Sequence, residues 1–102
     1  MPDRALGMLG LAARAGAVTI GTGATRAALQ QGDVRLVVMA GDGSPRTEEK
    51  VARLARGTGV PVVVGPDAAA LGARLGRGAV QAVGVVDTGF ADGILALTTG
   101  RA

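Results

Sequence analysis

RLVVMAGDGSP, residues 35–45, joins an apolar run to a turn and to the start of a helix. After Arg35 the run has no alternation of polar and apolar side chains, which is typical of a strand buried on both faces. The glycines and the aspartate at 41–43 predict a turn. Ser44 and Pro45 then predict the N-cap and the first position of a helix. Because such a strand needs helices above and below it, the segment favours a layered α/β fold.

Similar transitions divide the rest of the chain into alternating helices and strands. Asp3, Asp67 and Asp87 are expected to cap the helices that follow them, and two further helices begin near Gly23 and Ser44. Strands are predicted at residues 17–20, 35–40, 60–64 and 79–86. The order α-β-α-β-α-β-α-β-α predicts an α/β fold, a three-layer α/β/α sandwich with a four-stranded mixed or mostly parallel sheet. At 102 residues the chain is expected to form one domain, residues 1–102.

The composition excludes several kinds of chemistry. The sequence has no Cys and no His, which excludes disulfides, thiol chemistry, Cys/His zinc sites and histidine-based acid–base catalysis. Asp42, Asp67 and Asp87 lie where helix caps are needed, so we assign them a structural role. We therefore expect a protein that is not an enzyme, with no catalytic residues, no bound metal and no cofactor.

The apolar runs are short. The longest, such as residues 36–40 and 60–64, are well below the length that spans a bilayer, and residues 1–4 are not followed by a signal-peptide pattern. The absence of Cys fits a reducing compartment. We expect a cytoplasmic protein with no membrane partner.

The charged residues leave two interpretations open. The net charge is +3, and ten of the eleven cationic side chains are Arg. A GC-rich genome replaces Lys with Arg throughout a proteome, which would explain this bias without any functional cause. Alternatively, the excess of Arg favours partners that present phosphate or carboxylate groups.

The glycine-rich segment IGTGATRAALQQG, residues 20–32, was compared with two nucleotide-binding patterns. The P-loop pattern fails because Thr22 and Gly23 follow Gly21, where Lys and Ser/Thr are required. The dinucleotide fingerprint fails because Arg26 occupies the position of its third glycine. A role in binding a small nucleotide is therefore the weaker interpretation of this segment. The interpretation without a ligand is a tight strand-to-helix turn capped by Thr22.

Five segments together resemble the kink-turn-binding ribosomal-protein family of the L-seven-Ae/L-thirty-e type: GTGATRAALQQG, RLVVMAGDGSP, VPVVV, LGARLGRG and AVGVVDTGFADGIL. The resemblance extends from about Ala5 to Leu97. Its most specific part is LVVMAGDGSP, where Ala40, Asp42 and Pro45 keep the family's spacing. The ending VDTGFA is most similar to the short bacterial YlxQ-type members.

The resemblance implies a ribosome- or translation-associated protein that binds structured RNA, most directly ribosomal RNA, with the ribosome or translation factors as further partners. In this family the RNA surface is built from the start of the second helix, the turn after the second strand and the loop before the fourth strand. The RNA-binding residues expected on this basis are Arg14, Gly21, Thr22, Gly23, Ala24, Arg26, Ala27, Arg46, Gly76, Arg77 and Gly78.

The sequence departs from the family where RNA recognition is most specific. The family pattern has glycine, a small residue, Asn, Glu, two further residues and Lys, and these polar positions fall on Gly23, Ala24 and Ala27. Arg26 lies one position before the expected Lys and projects about 100° away around a helix. We therefore expect weak or altered kink-turn specificity. The alternative is a protein-interaction module that kept the fold and lost RNA binding.

We expect Arg26 and Arg77 to contribute to one phosphate-binding surface. Arg53 and Arg56, on the third helix, are expected to lie away from it.

Overall fold

The computed structural model describes residues 1–99, in which five helices flank a four-stranded sheet. The elements are α1 (Asp3–Arg14), β1 (Val18–Ile20), α2 (Thr22–Gln30), β2 (Leu36–Met39), α3, β3 (Val62–Val64), α4 (Ala68–Arg74), β4 (Ala82–Val85) and α5 (Thr88–Thr99). Helix α3 comprises an α-helical turn at Pro45–Thr47, a π-helical segment at Glu48–Ala52 and an α-helical segment at Arg53–Gly57. The predicted element order and the three-layer sandwich are confirmed.

The sheet is mixed, which is one of the two forms that the sequence predicts. Its strand order is β1-β4-β2-β3, with β2 and β3 parallel and β4 antiparallel to both β1 and β2. Strand β4 runs opposite to β2 and β3 because the connection after β3 keeps the chain at the end of the sheet where β3 finishes. The loop that follows the short helix α4 folds back to the start of that helix, since Val80 N donates a hydrogen bond to the Ala68 carbonyl (2.9 Å). β4 therefore begins where β3 ends.

Two apolar cores cover the two faces of the sheet. On the face covered by α1, α4 and α5, the buried side chains include Leu9, Leu36, Val38, Leu71, Val83, Val85 and Ile94. On the face covered by α2 and α3, they include Leu29, Val34, Val37, Met39, Val51 and Ala55. Successive residues of β2 alternate between the two cores, so every residue of this strand is buried, as its apolar composition predicts.

Most predicted helix caps are confirmed, and two are wrong. Ser44 Oγ accepts a hydrogen bond from Thr47 N (3.2 Å), Asp67 Oδ1 from Ala70 N (2.8 Å) and Asp87 Oδ1 from Phe90 N (2.9 Å). Asp3 does not cap α1, because Pro2 holds the N-cap position and Asp3 is the first helical residue. Thr22 does not cap α2 either, because Gly21 holds that position.

Candidate nucleic-acid interface

The sheet brings together the three segments that sequence reasoning assigned to one surface. Gly21 N donates a hydrogen bond to the Ala82 carbonyl (2.8 Å), and Ala40 N donates one to the Gln81 carbonyl (2.9 Å). The start of α2, the turn after β2 and the loop before β4 therefore lie side by side. We call this surface the loop edge; it comprises residues 21–23, 41–44 and 76–81.

The start of α2 is open to solvent and carries no negative charge. Gly21 adopts a φ of 99°, a left-handed conformation that glycine reaches without steric cost. The first helical turn contains no acidic residue, and Gly23 and Ala24 are exposed. A helix start presents N–H groups without intrahelical acceptors together with a partial positive charge. This end of α2 can therefore accept an anion such as a phosphate group.

Helix α2 is fixed in place by a pair of threonine hydroxyls. The side chain of Thr25 is fully buried, and its Oγ1 lies 3.0 Å from Oγ1 of Thr19 on β1. Both side chains pack over Gly84 of β4, where an added Cβ would lie 2.5 Å from Thr19 Oγ1 and 3.2 Å from Thr25 Cγ2. The missing side chain at Gly84 thus allows α2 to lie close to the sheet, which sets the position of its N-terminus at the loop edge.

The turn after β2 is held by Asp42, whose role is structural as the sequence predicts. Its carboxylate accepts a hydrogen bond from Ala68 N at 2.8 Å and so caps the start of α4, 26 residues along the chain. The carboxylate therefore joins the turn after β2, which is part of the loop edge, to the start of α4. Beside it, Oε1 of Gln81 is buried without a hydrogen-bond partner, and a Cβ added at Gly43 would lie 3.4 Å from it.

The loop before β4 folds tightly onto α4. Arg77 N donates a hydrogen bond to the Gly72 carbonyl (2.8 Å), and Gly76 has a φ of 69°. A Cβ built on Gly72 would lie 1.7 Å from the Gly78 carbonyl oxygen. Close contact between the loop and the helix therefore requires glycine at position 72. The side chain of Arg77 is exposed at the tip of this loop.

Two basic depressions flank the loop edge, one on each face of the sheet. The α1–α4 depression, of about 360 Å³, is lined by Arg14, Arg74 and Arg77 together with Ile20, and its lining includes no carboxylate. Arg74 also forms an ion pair with Asp3 of α1 (3.5 Å). The second, which we call the α2–α3 groove, has a volume of about 670 Å³. Its lining residues are Arg26, Arg46, Glu49, Lys50, Arg53, Leu54, Gly57 and Thr58.

Ala24 and Ala27 lie on the side of α2 that faces away from Arg26. They line a separate depression of about 550 Å³ together with Thr19 and Arg35. Arg26 faces α3 instead. Arg26 therefore does not replace the Lys that the family pattern has at position 27. Neighbouring positions on a helix project about 100° apart, so the two side chains point to different sides of α2.

The chain was compared with known protein families and structures. The model of the family described as ribosomal protein L7Ae/L30e/S12e/Gadd45 matches residues 3–94. The chain belongs to this family. No curated protein sequence matches it significantly.

Two solved structures are similar to this chain. A Bacillus halodurans protein, described as having unknown function, is 32% identical with a TM-score of 0.90, over 96% of this chain and 99% of that chain. The Giardia lamblia 15.5kD RNA binding protein is 18% identical with a TM-score of 0.79, over 93% of this chain and 84% of that chain. At that lower identity the second likeness shows the fold alone.

The family fold distributes the residues predicted to bind RNA over several surfaces. Gly21, Thr22, Gly23, Gly76, Arg77 and Gly78 meet at the loop edge, whereas Arg14 lies in the α1–α4 depression with Arg77. Arg26 and Arg46 line the α2–α3 groove, and Ala24 and Ala27 line the depression on the other side of α2.

Sequence reasoning missed two cations of the α2–α3 groove, Lys50 and Arg53. The expectation that Arg53 lies away from Arg26 is wrong, because both line this groove. Arg46, Lys50 and Arg53 follow one another at intervals of four and three residues, which places them on one face of a helix. That spacing was the available signal, but the orientation of α3 against α2 could not be read from it.

The part of the chain that the structure describes shows neither a metal centre nor a membrane-spanning helix. No group of three or more acidic, His or Cys side chains within residues 1–99 is arranged to hold a metal ion. No helix in the same residues is long and apolar enough to cross a bilayer.

Proposed function

We propose that the protein binds structured RNA at the loop edge, mainly through phosphate groups. The observation that carries the proposal is the open, uncharged start of α2 lying between two arginine-lined depressions. Membership of a ribosomal-protein family supports an RNA partner, and the Giardia neighbour of the same fold is described as RNA-binding.

The chemistry of the loop edge favours phosphate over base recognition. A helix start binds a phosphate through backbone N–H groups, and arginine adds charge and paired donors. Gly23, Ala24 and Ala27 provide no side chain that can hydrogen-bond a base edge. The single aromatic residue, Phe90, lies on α5 and packs against the core beneath that helix, so it offers no stacking platform at the loop edge. We therefore propose weak kink-turn selectivity.

The proposal extends to cellular context. We propose ribosomal RNA as the partner, with a role in translation in the cytoplasm, the protein acting as a binder and not as an enzyme. The family description supports the ribosomal context. The three capping aspartates support a non-catalytic role, because each carboxylate already accepts a backbone hydrogen bond.

Changing both Arg26 and Arg77 to Ala tests whether the two sides of the loop edge act together. Both side chains are exposed, so the fold is expected to be unaffected. Loss of two phosphate contacts should flatten the log–log dependence of RNA affinity on salt by roughly 1.8 units, at roughly 0.9 per phosphate. The measurement is a titration of labelled ribosomal RNA fragments by fluorescence anisotropy at several salt concentrations.

A charge-matched control is the double change of Arg4 and Arg56 to Ala. Arg4 is exposed on α1, and Arg56 pairs with Glu48 (2.9 Å) outside the α2–α3 groove. The control should leave the salt dependence nearly unchanged. Equal losses from both pairs would mean that only diffuse positive charge attracts RNA. Absence of RNA binding by the unaltered protein at low salt would favour the protein-interaction module.

A further inference from the structure

The α2–α3 groove has a strong excess of positive charge. Its lining has four cations, Arg26, Arg46, Lys50 and Arg53, and one carboxylate, Glu49, for a formal charge of +3. The sequence as a whole also carries +3, so its other seven cations and seven carboxylates cancel. This positive charge favours binding of an anionic ligand in the groove.

The cations of the groove form a track that leads away from the loop edge. Arg26 lies in the second turn of α2 and Arg46 in the first turn of α3, and both helices begin at the loop edge. Lys50 and Arg53 continue along α3, farther from its start than Arg46. A ligand bound at the loop edge can thus extend directly into the groove.

Few carboxylates compensate this charge. Among the ion pairs formed within residues 1–99, the one in the groove joins Arg53 to Glu49 at 3.3 Å, and both side chains are largely exposed. Exposed pairs of this kind contribute about 0–1 kcal/mol and exchange readily for another partner. Arg26, Arg46 and Lys50 are exposed beside it.

We infer that the α2–α3 groove holds the phosphate backbone of a base-paired arm of the RNA whose core binds the loop edge. This inference rests on the function proposed above. A paired arm fits because the groove has no aromatic side chain on which unpaired bases could stack. Double-stranded RNA presents its phosphates outward and is bound mostly through shape and backbone contacts.

An acidic protein segment fits the groove less well. Peptide helices that lie in grooves bury an apolar face there. Leu54 is the one large apolar side chain in the lining of this groove, and the remainder is charged, small or polar. A protein ligand would gain little from apolar burial, whereas a phosphate backbone needs none.

The test uses RNAs that share one kink-turn core. A short-arm RNA ends close to the core, and two long-arm RNAs each have one arm extended by added base pairs. We expect the unaltered protein to bind one of the long-arm RNAs more tightly than the short-arm RNA. Changing Lys50 and Arg53 together to Ala should abolish that gain and leave binding of the short-arm RNA unchanged. The unaltered protein and the Lys50 and Arg53 variant should differ in affinity for the long-arm RNA. Because two phosphate contacts are lost in the variant, this difference should shrink roughly tenfold between about 50 and about 200 mM salt.

Three further variants sharpen the test. The Arg4 and Arg56 double change to Ala removes the same charge elsewhere and should keep the long-arm gain. Arg53→Lys keeps the charge and should also keep it. Glu49→Gln removes the one carboxylate of the groove and should increase affinity for the long-arm RNA, an effect opposite in sign to that of the Lys50 and Arg53 change.

The outcomes separate this inference from the proposed function. If the unaltered protein binds the short-arm RNA but the long-arm gain is absent, or survives the Lys50 and Arg53 change, the groove inference is wrong and the loop-edge proposal stands. If no RNA binds, both are wrong. If a glutamate-rich peptide binds the unaltered protein, is lost on changing Lys50 and Arg53, and does not compete with the long-arm RNA, the groove is a protein site and the inference is overturned.

Discussion

Changing Gly72 to Ala is expected to destabilise the protein by about 2 kcal/mol, because overpacking costs up to about 3 kcal/mol and Ala returns about 1 kcal/mol of helix propensity. The added Cβ would lie 1.7 Å from the Gly78 carbonyl oxygen and 2.7 Å from the Gly78 carbonyl carbon. These are backbone atoms, so the contact cannot be relieved by rotating a side chain. Either α4 or the loop before β4 must move.

The matched control is Gly7→Ala on α1. Gly7 is also helical, but a Cβ added there meets no atom within 4 Å, so this change should stabilise the protein by about 0.5–1 kcal/mol. Urea unfolding of both variants measures the difference. Stabilisation by Gly72→Ala equal to that by Gly7→Ala would show that the loop does not lie on α4 as described.

The second large effect is a gain of RNA selectivity. Changing Gly23 to Asn, Ala24 to Glu and Ala27 to Lys together restores the polar residues of the family pattern. We expect the preference for a kink-turn over a plain duplex to rise by at least about tenfold, or about 1.4 kcal/mol. All three positions are exposed on α2, and a Cβ at Gly23 meets no atom within 4 Å, so the side chains fit without rearrangement.

The three changes leave the net charge at +3, because the added Glu and Lys cancel. A rise in selectivity therefore cannot come from stronger general attraction to RNA. Ala27→Lys alone adds one charge and should strengthen binding to both RNAs nearly equally. Parallel filter-binding titrations of kink-turn and duplex RNA make the comparison. An unchanged ratio in the triple variant would mean that the start of α2 does not contact the kink.

The fold was predictable because its signals are local. Apolar runs ended by turn residues mark each strand, and Ser44, Asp67 and Asp87 cap the helices that they precede in sequence. Strand directions were less accessible, since the reversal of β4 depends on how the short helix α4 and its outgoing loop pack. The Asp3 prediction failed for a local reason, because Pro2 took the N-cap position.

The candidate site was only partly predictable. The three segments of the loop edge follow from the family resemblance, and the structure brings them together. The sharing of the α2–α3 groove by Arg26 and Arg53 depends on the packing of two helices, which the periodicity of either helix alone does not fix. The close fit of Gly72 against Gly78 likewise depends on the path of a loop, and nothing in the local sequence marks Gly72 as different from Gly7.

The salt dependence of RNA binding by the unaltered protein tests the central claim most directly. A kink-turn RNA and a duplex of equal length and base composition would be titrated at several salt concentrations. The proposed phosphate contacts predict measurable binding of both RNAs at low salt, a log–log slope of roughly −2 to −4 for two to four arginine contacts, and a preference for the kink-turn below about tenfold. Salt-independent binding, or tight binding of the kink-turn alone, would contradict the account.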